Sequence, residues 1–413
     1  SRSIGAGGNL LTQERLFWHI VSSVGEFKQE RNVALSSGVS PVTNVVRELT
    51  LWANVTYYTD SKDLYFFGFE FDFPSTEYNF VNRLGDPGRL SATIPQIAGW
   101  VHYQTREGVL RTDLGMRVEA ASLLRGNSAR SALQPRVNLG IDLFGDWKAK
   151  VSYGRFSQEI ITITNEDDIL PLFVPWIGVP DNLEPEYADH YVLGVEGSVL
   201  NSLSANVQSF YKRYGSLIVY NRDKIEALEQ DYINATGESY GGEALLRYSH
   251  PLIDLYGAYT LTWVTVDLNG FVYSPRYDRR HTLNLLGSLH LFKDFDISVR
   301  WEFGSGLPYT QTIGFYDKLQ LGNGYPDPFY TETGVPQTLF GPKNAVRLPT
   351  YHRMDVSIAY QFEMLSSVRW SVGVNLMNVY NRKNIFYFER STGQRVNMLG
   401  FFPTANLSLE FLP

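Results

Sequence analysis

Apolar and polar residues alternate with a period of two in many separate segments of this chain. The pattern is clearest at residues 65–73, 193–199, 297–303 and 354–362. Successive side chains of a β-strand point to opposite faces, so each segment predicts a strand with one apolar and one polar face. A strand between lipid and a water-filled lumen has this pattern. The alternation therefore predicts an all-β protein, a transmembrane antiparallel outer-membrane β-barrel.

The connections between the predicted strands support the same architecture. Tight polar turns are expected at residues 60–63, 106–108, 145–146, 201–202, 293–294 and 364–367. Longer connections lie between them, at residues 83–92, 158–185, 217–234, 266–277 and 304–349. Short and long connections largely alternate, as short periplasmic turns and long extracellular loops do in outer-membrane barrels. This reading gives about sixteen strands, and residues before Asn44 are the hardest to assign.

Composition narrows the class further. Aromatic residues make up 14% of the chain, with 26 Tyr and 25 Phe, which suits aromatic girdles at two membrane interfaces. The net charge of −7 argues against a nucleic-acid partner. The chain has no Cys, which excludes disulfides and thiolate metal sites. No linker or composition shift divides the chain, so residues 1–413 are expected to form one barrel domain. A soluble β-propeller is the alternative, but the chain shows no repeat of about forty to fifty residues.

Several short motifs occur in a fixed order along the second part of the chain. In chain order they are Gln134-Pro135-Arg136-Val137, Tyr153-Gly154-Arg155-Phe156, Leu183-Glu184-Pro185-Glu186-Tyr187 with His190-Tyr191-Val192-Leu193-Gly194-Val195-Glu196, Phe210-Tyr211-Lys212-Arg213-Tyr214, Gly237-Glu238-Ser239-Tyr240-Gly241-Gly242-Glu243, Tyr277-Asp278-Arg279-Arg280-His281, Gly304-Ser305-Gly306-Leu307-Pro308-Tyr309, Leu348-Pro349-Thr350-Tyr351-His352-Arg353-Met354-Asp355 and Asn378-Val379-Tyr380-Asn381-Arg382-Lys383-Asn384. Together they cover residues 130 to 413 and resemble the barrel of TonB-dependent receptors. Residues 1–129 fit this family only through their alternation.

The resemblance implies a barrel of about 22 strands with a plugged lumen in a Gram-negative-type outer membrane. The chain is then expected to hold the C-terminal part of the barrel and no plug domain. The resemblance also implies energised uptake of a scarce ligand of the siderophore, cobalamin, glycan or peptide class. Implied partners are outer-membrane lipid, the TonB system acting through the plug, and a surface lipoprotein or other outer-membrane subunits.

Two other functions stay open at this point. A barrel without a plug could serve as a structural or partner-binding component of an outer-membrane complex. A passive porin of about sixteen strands is the weaker option, since porins of that size leave an aqueous channel. No enzyme activity, cofactor or metal is expected, and no substrate-binding residue can be assigned from the sequence.

Two patterns that could indicate chemistry have simpler explanations. Residues 237–241 spell G-x-S-x-G, but a nucleophile elbow needs a helix after the serine, whereas the following residues predict a strand. The seven histidines are scattered without metal-binding spacing. His281 and His352 are expected to lie in ion-paired lumen networks with Asp278, Arg353 and their charged neighbours.

Two long connections are the best candidates for ligand contact. The first, residues 158–185, carries the acidic run Glu166-Asp167-Asp168 followed by an apolar run from Leu170 to Trp176. It could bind a cation or an apolar partner, although packing against neighbouring loops is favoured. The second, residues 304–349, is rich in aromatic residues that suit stacking on a sugar or an aromatic chelator. Its aromatic and acidic residues are Tyr309, Phe315, Tyr316, Tyr325, Phe329, Tyr330, Phe340, Asp317, Asp327 and Glu332.

Overall fold

The strands below are those of a computed structural model. It describes residues 1–12, 15–30, 40–59, 63–81, 87–120, 132–163, 174–222, 224, 226, 228–292, 294–318, 335–364, 368–389 and 392–411. The first ten strands are β1 (Arg2–Thr12), β2 (Leu16–Glu30), β3 (Ser40–Tyr58), β4 (Leu64–Asp72), β5 (Ser75–Val81), β6 (Pro87–Thr93), β7 (Gln96–Glu107), β8 (Leu110–Glu119), β9 (Leu133–Asp142) and β10 (Lys148–Gln158). The next nine are β11 (Ile160–Thr162), β12 (Trp176–Gly178), β13 (Glu186–Leu200), β14 (Leu203–Tyr220), β15 (Tyr232–His250), β16 (Ile253–Leu268), β17 (Phe271–Tyr273), β18 (His281–Phe292) and β19 (Phe295–Gly304). The last nine are β20 (Pro308–Tyr309), β21 (Thr312–Lys318), β22 (Val335–Phe340), β23 (Val346–Arg347), β24 (Tyr351–Met364), β25 (Val368–Met377), β26 (Ile385–Phe388), β27 (Arg395–Asn397) and β28 (Phe402–Phe411).

One antiparallel sheet of twenty strands makes up most of the described chain. Three of the twenty, β5, β6 and β17, lie in the long connections, which leaves seventeen strands in an up-and-down meander from β1 to β28. The sequence pattern predicted about sixteen strands and was hardest to assign before Asn44. Two strands, β1 and β2, are found there and pair along eleven residues each. Among the described residues, no helix is long and apolar enough to cross a membrane.

The two faces of the sheet are chemically distinct, as the alternation predicted. Val299 pairs with Gly287 on one side and Val356 on the other, and the two valine side chains point outward. The neighbouring residue Ser298 points inward, where its hydroxyl lies 2.9 Å from that of Ser288. The outward face is therefore the lipid face, and the inward face lines a polar lumen.

Aromatic side chains form outward-facing rows near both ends of the sheet. One row crosses five strands at Tyr153, Tyr191, Tyr211, Tyr240 and Trp263, which are consecutive cross-strand partners. Its ring centroids lie 5.1 Å apart between the first pair, 6.1 Å between the second and 5.4 Å between the last. These amphipathic rings suit the membrane–water interface.

The second row lies beside the short turn that follows β3. Tyr57, Tyr65 and Tyr103 are cross-strand partners there, with centroid distances of 6.4 and 4.9 Å. The short turns lie at this end and the long connections lie at the other end. We call these the turn end and the loop end of the barrel.

The main apolar core lies at the loop end. Pro74 and Pro95 interrupt two long strands, and the hairpin β5–β6 continues beyond them. Residues of the 158–185 connection and the ends of β14 and β15 pack against this hairpin. The buried residues of this core are Tyr78, Phe80, Ile161, Ile163, Ile177, Val179, Leu183, Ile218, Tyr220 and Tyr232. A packed core above the lipid level fixes the loops that border the lumen, since buried apolar side chains resist displacement.

Candidate functional site

Two adjoining cavities lie on the lumen wall formed by strands β2 to β10. The upper cavity, nearer the loop end, has a volume of about 560 Å³, and the lower cavity has about 500 Å³. Arg117 and Arg136 line both cavities, so the two share a wall. We refer to the pair as the wall recess. Its size is in the range typical of small-molecule sites.

Trp176 of β12 lines the upper cavity on its loop side. The Asn44 side chain holds this strand, because its amide nitrogen donates to the Trp176 carbonyl at 2.8 Å and its oxygen accepts from the Trp176 N–H at 3.0 Å. Asn44 is completely buried. The Thr76 hydroxyl accepts from the Gly178 N–H at 2.8 Å. The loop residue that borders the recess is therefore fixed by buried hydrogen bonds, which are costly to leave unmade.

Arg117 lies at the junction of the two cavities and is fully paired. It contacts the Glu70 carboxylate at 2.8 Å and the Glu119 carboxylate at 2.9 Å. Gln134 donates a further hydrogen bond to Glu119 at 3.2 Å. The guanidinium carbon of Arg117 lies 5.4 Å from the Trp100 ring centroid. This network holds Trp100 and the carboxylates in fixed positions on the wall.

Arg136 differs from Arg117, although both line the same recess. Its guanidinium lies 4.8 Å from the centroid of the Phe156 ring. In the part of the chain that the structure describes, no carboxylate lies within ion-pair distance of it. The Arg136 side chain can therefore donate hydrogen bonds to a carbonyl, hydroxyl or acid group of a ligand.

The lower cavity is lined by stacked aromatic rings. Trp52 and Trp100 lie 6.1 Å apart with an angle of 23° between their planes. His19 meets Trp52 edge-on at 5.2 Å. Trp100 lies against Gly68, where a Cβ atom would be only 2.0 Å from the indole, so glycine leaves the space that the ring occupies. The Trp100 indole N–H points to the Asn54 side-chain oxygen at 3.4 Å.

Planar polar groups accompany the rings of the lower cavity. His102 pairs with the Asp113 carboxylate and stacks on Phe66 at 5.1 Å. Gln104 donates to the second Asp113 oxygen at 3.1 Å. Aromatic faces beside amide and carboxylate groups suit ligands that present rings together with hydrogen-bonding groups.

The recess carries more negative than positive charge. Six carboxylates line it against two arginines; the acidic residues are Glu48, Glu70, Asp72, Asp113, Glu119 and Glu159. Two of the six are neutralised by Arg117. A ligand with a large excess of negative charge would meet repulsion here, because like charges in a partly desolvated recess interact strongly.

The 158–185 connection is only partly described. Glu166, Asp167 and Asp168 and the residues 170–173 lie outside the described residues. The described ends form the two-stranded sheet β11–β12 and enter the buried core. Packing against neighbouring loops, the favoured prediction, is confirmed for these ends, and Trp176 additionally borders the recess.

The 304–349 connection contains a second two-stranded sheet, β21–β22. Phe315 and Tyr316 on β21 are 55% and 45% exposed, whereas Tyr309 stacks on Phe388 at 6.1 Å. The Phe340 ring lies 5.4 Å from the guanidinium carbon of Arg222. The other aromatic and acidic residues named from the sequence, Tyr325, Asp327, Phe329, Tyr330 and Glu332, lie outside the described residues. None of the described aromatic residues of this connection lines the wall recess.

The prediction for His281 and His352 is wrong in part. Both histidines point outward and bind tyrosine hydroxyls at 2.8 Å, His281 to Tyr259 and His352 to Tyr380. The first outward position of each strand lies above the lipid level, where a polar ring is tolerated. Within the described ranges, no group of three or more His, Asp or Glu side chains is arranged to hold a metal.

The charged neighbours of these histidines do form networks. Asp278 is fully buried and is paired with both Arg347 and Arg280, the latter at 3.4 Å. Arg353 pairs with Asp355 at 2.9 Å. The Asp278–Arg347 pair joins two of the long connections at their bases.

Ser239 of the G-x-S-x-G pattern lies in the middle of β15. It is 5% exposed and is paired in register with Lys212 and Val264 on the adjacent strands. The pattern therefore belongs to a continuous strand and does not form a strand–turn–helix elbow.

The residues of the wall recess were not predicted from the sequence. A signal was present, because Trp52 and Trp100 occupy positions on the polar face of their strands. Large aromatic residues on a lumen face require an explanation, whereas on the lipid face they do not.

Comparisons with known proteins agree with this geometry. A family model described as "TonB dependent receptor-like, beta-barrel" matches residues 4–379. No curated protein matches the sequence. Among solved structures, the chain is similar to the ferric-catecholate import receptor Fiu of E. coli K12, with 11% identity, a TM-score of 0.63, and coverage of 98% of this chain and 63% of that one.

Two further structures give the same result. The ferric citrate transporter FecA has 12% identity and a TM-score of 0.65, with coverage of 98% of this chain and 60% of that one. The siderophore receptor PirA of Acinetobacter baumannii has 12% identity and a TM-score of 0.61, with coverage of 99% and 62%. At these identities the likeness shows the fold. The chain spans about 60% of the length of these receptors.

Proposed function

The chain belongs to the family of TonB-dependent receptor β-barrels, and we propose that it is the barrel part of a receptor for energised uptake of a scarce ligand. It is an outer-membrane protein of a Gram-negative-type bacterium. The observation that carries the proposal is the wall recess, which lies below the packed loops and inside the lumen of a barrel of this family.

The position of the recess suits the capture of a ligand that enters the lumen from the loop end. Ile160 and Trp176 border its upper end, and the Trp52–Trp100 pair lies deeper on the same wall. A ligand held by aromatic contacts and several hydrogen bonds is released slowly, because affinity is determined mainly by the dissociation rate. External work supplied by TonB, acting through the plug domain of such receptors, would release the ligand inward.

The charge of the recess favours some ligand classes over others. The similar receptors are named for ferric catecholates, ferric citrate and siderophores. The excess of carboxylates in this recess disfavours a ligand of high negative charge such as ferric citrate. We propose a ligand with rings and hydroxyl or amide groups, of the glycan, cobalamin, peptide or neutral-chelate type. Arg136 would bind one carbonyl or acid group of that ligand.

Uptake in cells with and without TonB tests this function. Cells that express the full-length receptor are given labelled neutral oligosaccharides, cobalamin, peptides and ferric chelates in parallel. We expect saturable uptake of one class, and its loss in the strain without TonB. Uptake that persists unchanged without TonB would refute the proposal that this receptor is an energised importer.

Variants of the recess test its part in this function. Trp100→Ala and Arg136→Ala should each reduce ligand binding by about tenfold or more, since a stacked aromatic or a charged hydrogen bond contributes about 1–3 kcal/mol. Asn375→Ala is the matched control, because Asn375 also faces the lumen, on β25, but lies outside the recess. Equal binding by the recess variants and the control would place the ligand elsewhere.

A further inference from the structure

A row of basic side chains crosses the lumen wall beside the wall recess. Arg136 on β9 is the cross-strand partner of Gly154 on β10, which is in turn the partner of His190 on β13. His190 is paired with Lys212 on β14, and Lys212 with Ser239 on β15. We call Arg136, His190 and Lys212 the basic row. Because Arg136 lines both cavities of the recess, the row starts in the recess and leads away from it along the wall.

An aromatic ring joins the first two members of the basic row. Gly154 has no side chain, and a Cβ atom there would lie 2.9 Å from the Phe156 ring, so Phe156 covers this position. The Phe156 ring centroid lies 4.8 Å from the Arg136 guanidinium carbon and 4.9 Å from the His190 ring. The Cβ atoms of directly paired residues lie about 4.5–5.5 Å apart, which brings Lys212 beside His190. The row is therefore continuous from Arg136 to Lys212.

In the part of the chain that the structure describes, no carboxylate lies within ion-pair distance of the basic row. Its cross-strand neighbours Gly154 and Ser239 are uncharged. The inward residues directly above and below the row on β10, β13 and β14 are uncharged as well; they are Ser152, Phe156, Ala188, Val192, Phe210 and Tyr214. By contrast, Lys150 on the same face is paired with Glu196 at 3.1 Å. The positive charge of the row is therefore open to the lumen.

The surroundings of the basic row favour one kind of anion. Phe156, Val192 and Phe210 place apolar surface beside the row, and the Lys212 Nζ atom lies 5.3 Å from the Phe210 ring centroid. The six carboxylates of the neighbouring recess repel a ligand with many negative charges. A single carboxylate attached to an apolar group meets both conditions, because it gives the row a charge-assisted partner and covers the rings.

We propose that Arg136, His190 and Lys212 bind the carboxylate of a ligand that carries one acid group next to an apolar group, as an N-acylated amino acid or the C-terminus of an apolar peptide does. Three strand spacings of about 4.8 Å separate Arg136 from Lys212, a gap that the two long side chains and one carboxylate can span. The His190 ring lies between them and donates through its N–H. This inference rests on the proposed uptake function and names the chemical class of its ligand.

Binding of small probes to the purified full-length receptor tests the proposal. The probes are N-acetyl-L-phenylalanine, its C-terminal amide and citrate, and saturation-transfer NMR measures their affinities in the absence of TonB. We expect the acid to bind about tenfold more tightly than the amide, and citrate to bind more weakly than the acid. Lys212→Gln should weaken binding of the acid by about fivefold and leave binding of the amide unchanged, although Lys212 does not line the recess.

Lys150→Gln is the matched control, because Lys150 faces the same lumen on β10 but is paired with Glu196. It should bind the acid as the parent does, and heat-modifiable migration on gels verifies that each variant is folded. Equal affinity of the parent for the acid and the amide, absence of binding by both, or tighter binding of citrate would overturn the proposal. Parental affinity of Lys212→Gln for the acid would also overturn it.

A carboxylate of the plug domain is the other candidate partner of the basic row, and the same variants distinguish it. Faster proteolytic release of the plug in Arg136→Gln and Lys212→Gln, together with parental affinity for the acid, would assign the row to the plug and overturn the proposal. Because the binding test involves neither TonB nor transport, uptake that is independent of TonB would refute the importer and leave the result for the row unchanged.

Discussion

Replacing Val299 with arginine places a charge on the lipid face near the middle of a membrane strand. Val299 is the fifth residue of the ten-residue strand β19. It is 37% exposed on the outward face, between its partners Gly287 and Val356. An arginine side chain is too short to bring its charge from this height to either end of the strand, so the charge stays close to the hydrocarbon.

The expected cost follows from the depth of the residue. A charge at the bilayer midplane of a β-barrel costs about 2–4 kcal/mol. Since each 1.4 kcal/mol is a factor of ten, the ratio of inserted to unfolded chain should fall by about 30-fold to 700-fold. Val195→Arg on β13 should behave in the same way, because Val195 is also outward and 36% exposed.

The assay is urea-dependent folding of the full-length receptor into lipid vesicles, followed by heat-modifiable migration on gels. Ser298→Arg is the matched control, since Ser298 is the next residue along β19 and faces the lumen. Glu196→Gln is a second control, because Glu196 faces the lumen and accepts from Lys150 at 3.1 Å and Asn206 at 3.0 Å. If Val299→Arg and Ser298→Arg were equally stable, the assignment of lipid and lumen faces would be refuted.

Three further predictions follow from close contacts in the described chain. Gly68→Ala should displace the Trp100 indole, because the new Cβ would lie 2.0 Å from the ring. Ligand binding should weaken as a result. An unchanged tryptophan emission spectrum would contradict the close packing of Trp100 on Gly68. Asp278→Asn removes a fully buried carboxylate from its arginine partners and should lower the stability of this region by about 3–5 kcal/mol. The loss should appear as faster proteolysis within the 305–350 connection. A cleavage rate equal to that of the parent would argue against the pairing. Hydrogen bonds from Ser198 hold the pKa of the Asp146 carboxyl below its usual range. The stabilisation that Asp146 gives is therefore present above about pH 4 and lost as the pH falls through its folded pKa. The difference in urea midpoint between the parent and Asp146→Asn should shrink in acid. A difference that grows in acid would contradict this prediction.

The strands and their faces could be predicted because the alternation is a local property. Residues 297–303 alternate between apolar and polar side chains, and this pattern does not depend on the neighbouring strands. The meander places Val299 outward and Ser298 inward, as the pattern indicates. The short turns could also be predicted, since residues such as Gly108 and Gly145 adopt the positive φ values, 57° and 61°, that tight turns require. The first strands were harder, because β1 is rich in glycine and has a weak pattern.

The wall recess could not be predicted, because it depends on which strands meet and in what register. Trp52 and Trp100 become neighbours only because β3 and β7 pair with opposite edges of β4. Asn44 and Trp176 are 132 residues apart and bind each other only in the folded chain. A one-residue shift in any of these registers would turn the same side chains to the opposite face.

By itself, the sequence determined that this chain is an outer-membrane barrel with a lipid face, a polar lumen and long connections at one end. A period of two is encoded by neighbouring residues and does not depend on distant contacts. The tertiary structure decided that Arg136 meets no acidic partner among the described residues, whereas Arg117 pairs with both Glu70 and Glu119. Both outcomes depend on cross-strand contacts between residues far apart in the chain, which only the fold brings together.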